Sequence, residues 1–313
     1  MTDNVQIQHF YDESSSAFTY IVWEKATREA LIIDPVLSFN WHNSTTSNDA
    51  TDELVAYIQK HQLTPLYCID THIHADHISG SHRLKEHFPK LLLGIHINVK
   101  KVISTFSQVY GLEKNANDAS CFDLLLKEGD SLTLGSETLS FIDTPGHTPA
   151  CFCLKIGNAL FVGDTLFMPD FGVGRCDFPG GSAETLYSSV QKLYSLDNDT
   201  IVYVGHDYRP GGRDLKFQTT IGLCKENNIH LDMNKTKKDF VEFRETRDKG
   251  LNFPKLLLPS ILLNMKAGKL PHPDAYGHRY LKIPLNFSFE QLANQENFDQ
   301  KQTTQKLQEL KSV

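Results

Sequence analysis

Thr71-His72-Ile73-His74-Ala75-Asp76-His77 follows the apolar run Leu66-Tyr67-Cys68-Ile69. The run reads as a buried strand, and its end delivers four metal-competent side chains, His72, His74, Asp76 and His77, in close succession. A helix cannot put His72 and His74 on one face, because residues i and i+2 diverge by about 200°. The end of an extended strand can, since residues two apart share a face. The chain then turns at Asp76. A helix is expected to begin near Ser79-Gly80-Ser81, with Ser79 or Ser81 as its N-cap. The cluster is therefore strand-to-loop, unlike the helical two-histidine zinc motif.

Three further apolar runs end in the same way. Leu139-Ser140-Phe141-Ile142 leads to Pro145-Gly146-His147, Ala159-Leu160-Phe161-Val162 to Gly163-Asp164, and Thr200-Ile201-Val202-Tyr203-Val204 to Gly205-His206-Asp207-Tyr208. Strand ends are where side chains from distant parts of a sheet converge. Pooled, they give His72, His74, Asp76, His77, His147, Asp164 and His206, a set of imidazoles and carboxylates without thiolate. Such a set suits zinc, iron or manganese. A lone His147 or His206 would ordinarily be a hydrogen-bonded loop histidine, and a lone Asp164 a helix cap. The density of His72 to His77 argues otherwise, because adjacent buried imidazoles and a carboxylate are costly without a compensating ion.

The rest of the chain is built around these ends. Residues 5–36 alternate apolar and polar and read as a meander that opens a sheet. Residues 38–51 read as a polar surface loop, and Asp52 to His61 as an amphipathic helix. Gly172 to Gly181 forms a glycine-rich loop too long for a connector, and Ser182 is placed to cap the helix after it. Beyond residue 212 the chain becomes more charged and helical in spacing. The expected division is a catalytic domain over 1–212 and a mainly helical extension over 213–313 packed on it. Within the extension, Tyr280 to Leu285 reads as an extended closing segment and 288–313 as a surface helix or frayed tail.

Composition narrows the function. The chain has 313 residues, 40% hydrophobic and 22% charged, as in an ordinary soluble globular protein. A net charge of −7 supplies no basic field for nucleic acid. No apolar run approaches the roughly 20 residues of a membrane span. The six cysteines are scattered and form no CxxC pair, and Met1-Thr2-Asp3-Asn4 carries no leader pattern, so a cytoplasmic location is expected.

His72-Ile-His74-Ala-Asp76-His77, then Pro145-Gly-His147-Thr, Gly163-Asp164-Thr and Gly205-His206-Asp resemble the metallo-β-lactamase superfamily in motif and in order. The resemblance covers roughly residues 5–210. It implies an αββα sandwich of two mixed sheets with outer helices, here with a C-terminal helical extension. Within the superfamily, Ile78-Ser79-Gly80, Gly174-Arg175-Cys176-Asp177-Phe178 and Thr185-Leu186-Tyr187 resemble persulfide dioxygenases, a sister family of glyoxalase II. Phe240 to Pro284 resembles the longer bacterial β-lactamase-like hydrolase branch.

The persulfide dioxygenase resemblance implies one iron(II) per chain, held by His72, His147 and Asp164. It implies oxidation of glutathione persulfide by O2 to sulfite and glutathione. His74, Asp76, His77 and His206 would then orient the ligands. In a dinuclear zinc thioester hydrolase of the glyoxalase II type Asp76, His77 and His206 would hold the second zinc ion, Asp164 would bridge, and His74 would join the first. The ligand set is compatible with both. Glutathione carries two carboxylates, so cations are expected near the metal edge. Arg175 and Tyr208 are the leading candidates for substrate contacts, and Arg209, Arg213 and Lys216 follow. Cys176 is read as a small loop side chain rather than a redox group. The extension is expected to form either a homodimer contact or a lip over the substrate. A non-enzymatic sensor role rests on that extension alone.

Overall fold

The computed structural model describes residues 4–112, 118–286 and 288. The chain opens with an antiparallel meander, β1 (Val5–Asp12), β2 (Ala17–Glu24) and β3 (Glu29–Ile33). A short hairpin of β4 (Val36–Asn40) and β5 (Thr45–Ser47) follows, then helix α1 (Asp49–Lys60) and β6 (Thr64–Ile69). After the histidine cluster come β7 (Ile78–Ser79), α2 (Ser81–His87), β8 (Leu92–His96), α3 (Val99–Val109) and β9 (Leu124–Leu126). Strands β6, β8 and β9 add in parallel beyond β3, giving a six-stranded mixed sheet in the order β1-β2-β3-β6-β8-β9.

The second half repeats the logic. It contains β10 (Ser131–Leu134), β11 (Glu137–Asp143), β12 (Phe152–Ile156), β13 (Ala159–Phe161), α4 (Ala183–Tyr194), β14 (Ile201–Tyr203) and β15 (Gln218–Thr220). These six strands form a second mixed sheet in sequence order, with β14 parallel to β13. Helices α5 (Ile221–Asn227), α6 (Lys237–Asp248) and α7 (Leu257–Asn264) follow.

Strand periodicity explains the layering. On β2, Phe18, Tyr20 and Val22 pack in one cluster with Phe141, Phe152, Leu154 and Phe161 of the second sheet. Their neighbours Ile21 and Trp23 point the other way, against Leu54, Val55 and Ile58 of α1 and Phe106 of α3. Residues two apart share a face, so a strand apolar on both faces is sandwiched between a sheet and a helix layer. The Tyr20 hydroxyl donates to the Val204 carbonyl at 2.7 Å and ties the sheets together. The αββα arrangement expected from the sequence is the observed one. No helix among the described residues is long and apolar enough to cross a membrane.

Several local expectations change. A boundary at 212 falls just before β15, which completes the second sheet, and Phe240 of α6 lies in the central core. Residues 38–51 are not a plain loop: they hold the β4–β5 hairpin and the start of α1. Neither Ser79 nor Ser81 caps α2. Its N-cap is Gly80, without a side-chain bond. Both serine hydroxyls instead donate to the buried Asp70 carboxylate at 2.9 Å, a stronger acceptor demand than an exposed helix end makes. Ser182 does cap α4, accepting from the Thr185 N–H. Tyr280 to Leu285 forms neither helix nor strand, and residues 289–313 lie outside the described residues.

Candidate metal centre

Four strands deliver the site. β6 ends at Ile69 ahead of His72, β11 at Asp143 ahead of His147, β13 at Phe161 ahead of Asp164, and β14 at Tyr203 ahead of His206. Their ends meet at one edge of the sandwich. The rings of His72 and His147 lie 5.0 Å apart, and those of His74 and His77 lie 4.2 Å apart. The pooled residues divide into two groups. His72, His147 and Asp164 place ligand atoms within 4.8 Å of one another, and so do His74, Asp76 and His77. His206 stands between the groups, its Nε2 3.2 Å from Asp164 Oδ1 and 3.6 Å from Asp76 Oδ2. All seven residues expected from the sequence are therefore brought together.

Hydrogen bonds at the back of each ring decide which nitrogen faces the centre. Thr71 Oγ1 donates to Asp34 Oδ2 at 2.8 Å, so the same oxygen accepts from His72 Nδ1 at 3.1 Å. His147 Nδ1 donates to the Arg175 carbonyl at 2.7 Å. His206 Nδ1 faces the Ser16 carbonyl at 3.2 Å. Each contact occupies Nδ1 and directs Nε2 inward. For His74 the pattern inverts: Nε2 is held by Asp34 Oδ1 at 3.0 Å, and Nδ1 faces the centre.

The inward atoms are starved of partners. His72 Nε2, His74 Nδ1 and His77 Nε2 are buried and make no hydrogen bond, and Asp164 Oδ1 has only the His206 Nε2 beside it at 3.2 Å. Each unpaired group costs roughly 1–3 kcal/mol. Three in one place is a penalty that a shared cation removes, so the residues present fit a metal ion. The electrostatics agree. Burial disfavours a charged His206, yet Asp164 and Asp76 outweigh it and lift its pKa to about 10. Burial likewise opposes charge on His74, and Asp34 raises it to about 9. Burial pushes against ionised Asp164, but His206, His72 and His147 hold it well below the usual carboxylate range. His72 goes the other way, driven down by burial and by His74. The centre thus favours two carboxylates balanced by positive charge.

The Gly172–Gly181 loop closes over this edge. A Cβ on Gly174 would lie 2.0 Å from the Asp164 carbonyl oxygen, so only glycine lets the backbone approach. A cavity of about 1140 Å³ opens above, with Asp76, His147 and Asp164 in its floor and Trp41, Phe178 and Tyr208 in its wall.

The cations are arranged differently from expectation. Arg175 lines the cavity, but its fork is taken by Asp177, at 2.6 and 2.5 Å, and by the Asn252 carbonyl at 2.8 Å. Neither Arg209 nor Lys216 is among the described residues that line the cavity. Arg209 pairs with Glu13, Arg213 is clamped between Asp207 and Asp170, and the Lys216 N–H donates to Asp207. Lys255, which sequence reasoning missed, does line the cavity and is exposed. Cys176 is buried and its thiol is pushed up by burial, as suits a packing role. Asp34 was also missed. It follows the apolar run Ala30 to Ile33, the same signal that exposed the other strand-end acids.

Comparison with known proteins follows the same lines. The family described as the Metallo-beta-lactamase superfamily matches residues 15–206. "Glyoxylase B2" of Dictyostelium discoideum is 43% identical over 289 residues, covering 92% of this chain and 99% of that protein. "Persulfide dioxygenase ETHE1, mitochondrial" of Mus musculus is 34% identical over 275 residues, covering 86% of this chain and 91% of that protein. Among solved structures, ETHE1 from Myxococcus xanthus superposes with a TM-score of 0.69 at 29% identity, covering 84% of this chain and all (100%) of that one.

Proposed function

The chain belongs to the metallo-β-lactamase superfamily, and from that premise we propose that it is an iron-dependent persulfide dioxygenase. The reaction is glutathione persulfide plus O2 and water giving sulfite and glutathione. The observation that carries it is the His72–His147–Asp164 group, two imidazoles and one carboxylate whose ligand atoms lie within 4.8 Å of one another, with His72 Nε2 left unpaired. That donor set suits non-haem iron(II) with open positions. The persulfide dioxygenase relative, alike over most of both chains, supports the choice.

Iron(II) bound there would supply coordination positions at which sulfur and O2 come together. The protein's own residues do the rest. Thr71 and the Arg175 carbonyl fix the two imidazoles. His206, at 3.2 Å, steadies the Asp164 carboxylate, and His74, Asp76 and His77 support the same edge. Tyr208 lies parallel to the His206 ring and stacks on Phe171, giving the cavity a firm aromatic wall. With Phe178 and Trp41 it displaces water from around the sulfur. The carboxylates of glutathione meet Lys255 and the edge of Arg175. A cytoplasmic site of action belongs to the proposal and is supported by six free thiols.

The test is anaerobic reconstitution with iron(II), followed by O2 uptake and sulfite release with glutathione persulfide. A sample holding about one iron per chain that consumes no O2 sinks the proposal. Two observations favour a second reading: Asp76 lies beside both His77 and His206, the residues that would hold a second ion with it, and a relative is named as a glyoxylase. A dinuclear zinc thioester hydrolase would hold two zinc ions and release thiol from S-lactoylglutathione under nitrogen.

A further inference from the structure

The turn that carries Asp76 is closed by a side chain from the far end of the chain. Asn264 ends α7 and is buried. Its Nδ2 donates to the carbonyl oxygens of His74 at 2.9 Å and His77 at 2.8 Å. Its Oδ1 accepts from the Ser79 N–H at 2.8 Å. A primary amide has two N–H donors in one plane with its acceptor, and here both donors and the oxygen are spent on one stretch of backbone. The neighbouring chain is fitted to the same stretch. The Ala267 carbonyl accepts from the His82 N–H at 2.9 Å. Gly268 sits at φ +74, where a Cβ would lie 1.8 Å from the Ser79 carbonyl oxygen.

We propose that Asn264 is a positioning residue for the turn that carries His74, Asp76 and His77, fixing the backbone from which their side chains reach the centre. The inference rests on the metal-centre reading above. Its selectivity comes from where the bonds go. All three fall on residues 74–79, and none reaches His72, His147 or Asp164, which the strand ends and the Gly172–Gly181 loop hold instead. No other residue type of this size offers two coplanar donors and an acceptor. An aspartate in its place would turn a carboxylate oxygen toward two carbonyl oxygens, and an apolar residue would leave three buried backbone groups unpaired. The placement of His74, Asp76 and His77 in the centre therefore depends on a side chain 190 residues downstream of His74.

The variants are Asn264→Asp and Asn264→Ser, with Ile261→Val as a control that loosens the packing of α7 in the core without touching the turn. The first readout uses metal-free protein: imidazole ¹⁵N–¹H NMR signals. In the Asn264 variants the ring signals of His74 and His77 move while those of His147 and His206 hold. In the Ile261 variant all four hold. The second readout is calorimetric zinc titration, in which overall zinc affinity weakens about tenfold or more. Asn264→Ser keeps one donor and decides the matter if the aspartate variant does not fold. Unmoved His74 and His77 signals in a folded Asn264 variant overturn the proposal, as does a zinc isotherm that superimposes on wild type. A wild-type protein that takes up neither zinc nor iron refutes the metal-centre reading, and the ring signals then judge Asn264 separately.

Discussion

The Nδ1 of His147 lies 2.7 Å from the carbonyl oxygen of Arg175, so the loop that lines the cavity also orients a candidate ligand. The Arg175 side chain is locked in turn by its fork on Asp177, and the next residue, Cys176, donates its N–H to Asp248 at 2.8 Å. Substrate wall and metal centre therefore share one stretch of backbone.

Asp177→Asn should show that sharing. The substitution keeps the shape but leaves the Arg175 fork with a neutral partner, a weaker bidentate hold. Metal affinity is expected to fall about tenfold although Asp177 belongs to neither group of metal-competent residues. Chelator competition measures it, with far-UV circular dichroism to show an unchanged fold. Unaltered affinity would reduce the pair to a surface ornament.

Metal removal should cost stability, because the inward atoms of His72, His74 and His77 then have no partner. An ion present at 100 times its Kd stabilises the folded chain by about 2.7 kcal/mol. Scanning calorimetry before and after chelation is expected to show a clear fall in Tm. His147→Ala and Asp164→Ala should abolish turnover and shrink that fall. An identical Tm with and without metal would contradict the account of the centre.

Lys255 and Lys216 make a matched pair for locating the substrate's negative end. Lys255 lines the cavity and Lys216 does not. Lys255→Glu is expected to raise KM for an anionic thiol substrate about tenfold, more so at low salt, with kcat little changed. Lys216→Glu should leave KM alone. The reverse ranking would restore the assignment drawn from sequence.

A pH effect follows from His230, away from the metal edge. Its Nδ1 accepts from the Val173 N–H at 3.2 Å, with Arg244 beside it. Burial and then the Arg244 and Arg247 charges lower its pKa from 6.5 to about 4. A group depressed on folding contributes stability that is complete above its unfolded pKa and is lost as pH falls. Tm should therefore decline between about pH 6.5 and 4. His230→Asn is expected to flatten that decline, as measured by thermal melts across the range. An unchanged slope would mean that other groups dominate acid unfolding.

The sequence exposes what is dense and local. His72 to His77, His147, Asp164 and His206 each follow an apolar run, and a sheet collects the ends of such runs at one edge. Asp34 obeys the same rule but stands before Pro35, where a turn reading competes. The cap reading at Ser79 and Ser81 failed because a local rule cannot foresee a buried Asp70 that claims both hydroxyls. Arg209 and Lys216 stand close to the site along the chain, yet Arg209 is spent on Glu13, the Lys216 N–H is spent on Asp207, and neither residue lines the cavity. Asn264 and Lys255 carry no pattern at all, because their meaning lies in contacts with distant parts of the chain.

The buried pair Arg244–Asp248 tests how far the extension reaches into the centre. Arg244 Nη2 donates to Asp248 Oδ1 at 2.5 Å, and Arg244 Nη1 donates to the Val173 carbonyl at 3.2 Å. The other oxygen of Asp248 accepts from the Cys176 N–H. One helical turn of α6 thus grips the loop on both sides of Arg175, whose carbonyl holds His147. Removing one member of a buried pair costs about 3–5 kcal/mol, because the other charge is left uncompensated. Arg244→Met alone should therefore lower stability sharply. The double replacement Arg244→Met with Asp248→Leu removes both charges and should recover much of that loss, since apolar residues of similar volume often replace such pairs at little cost. Metal affinity should not recover with it, because the Cys176 N–H still has no acceptor and the loop no clamp. Denaturant melts and chelator competition on both variants separate the two effects. Recovery of stability and affinity together would make α6 a packing element only, whereas recovery of stability alone would make it part of the metal centre's frame.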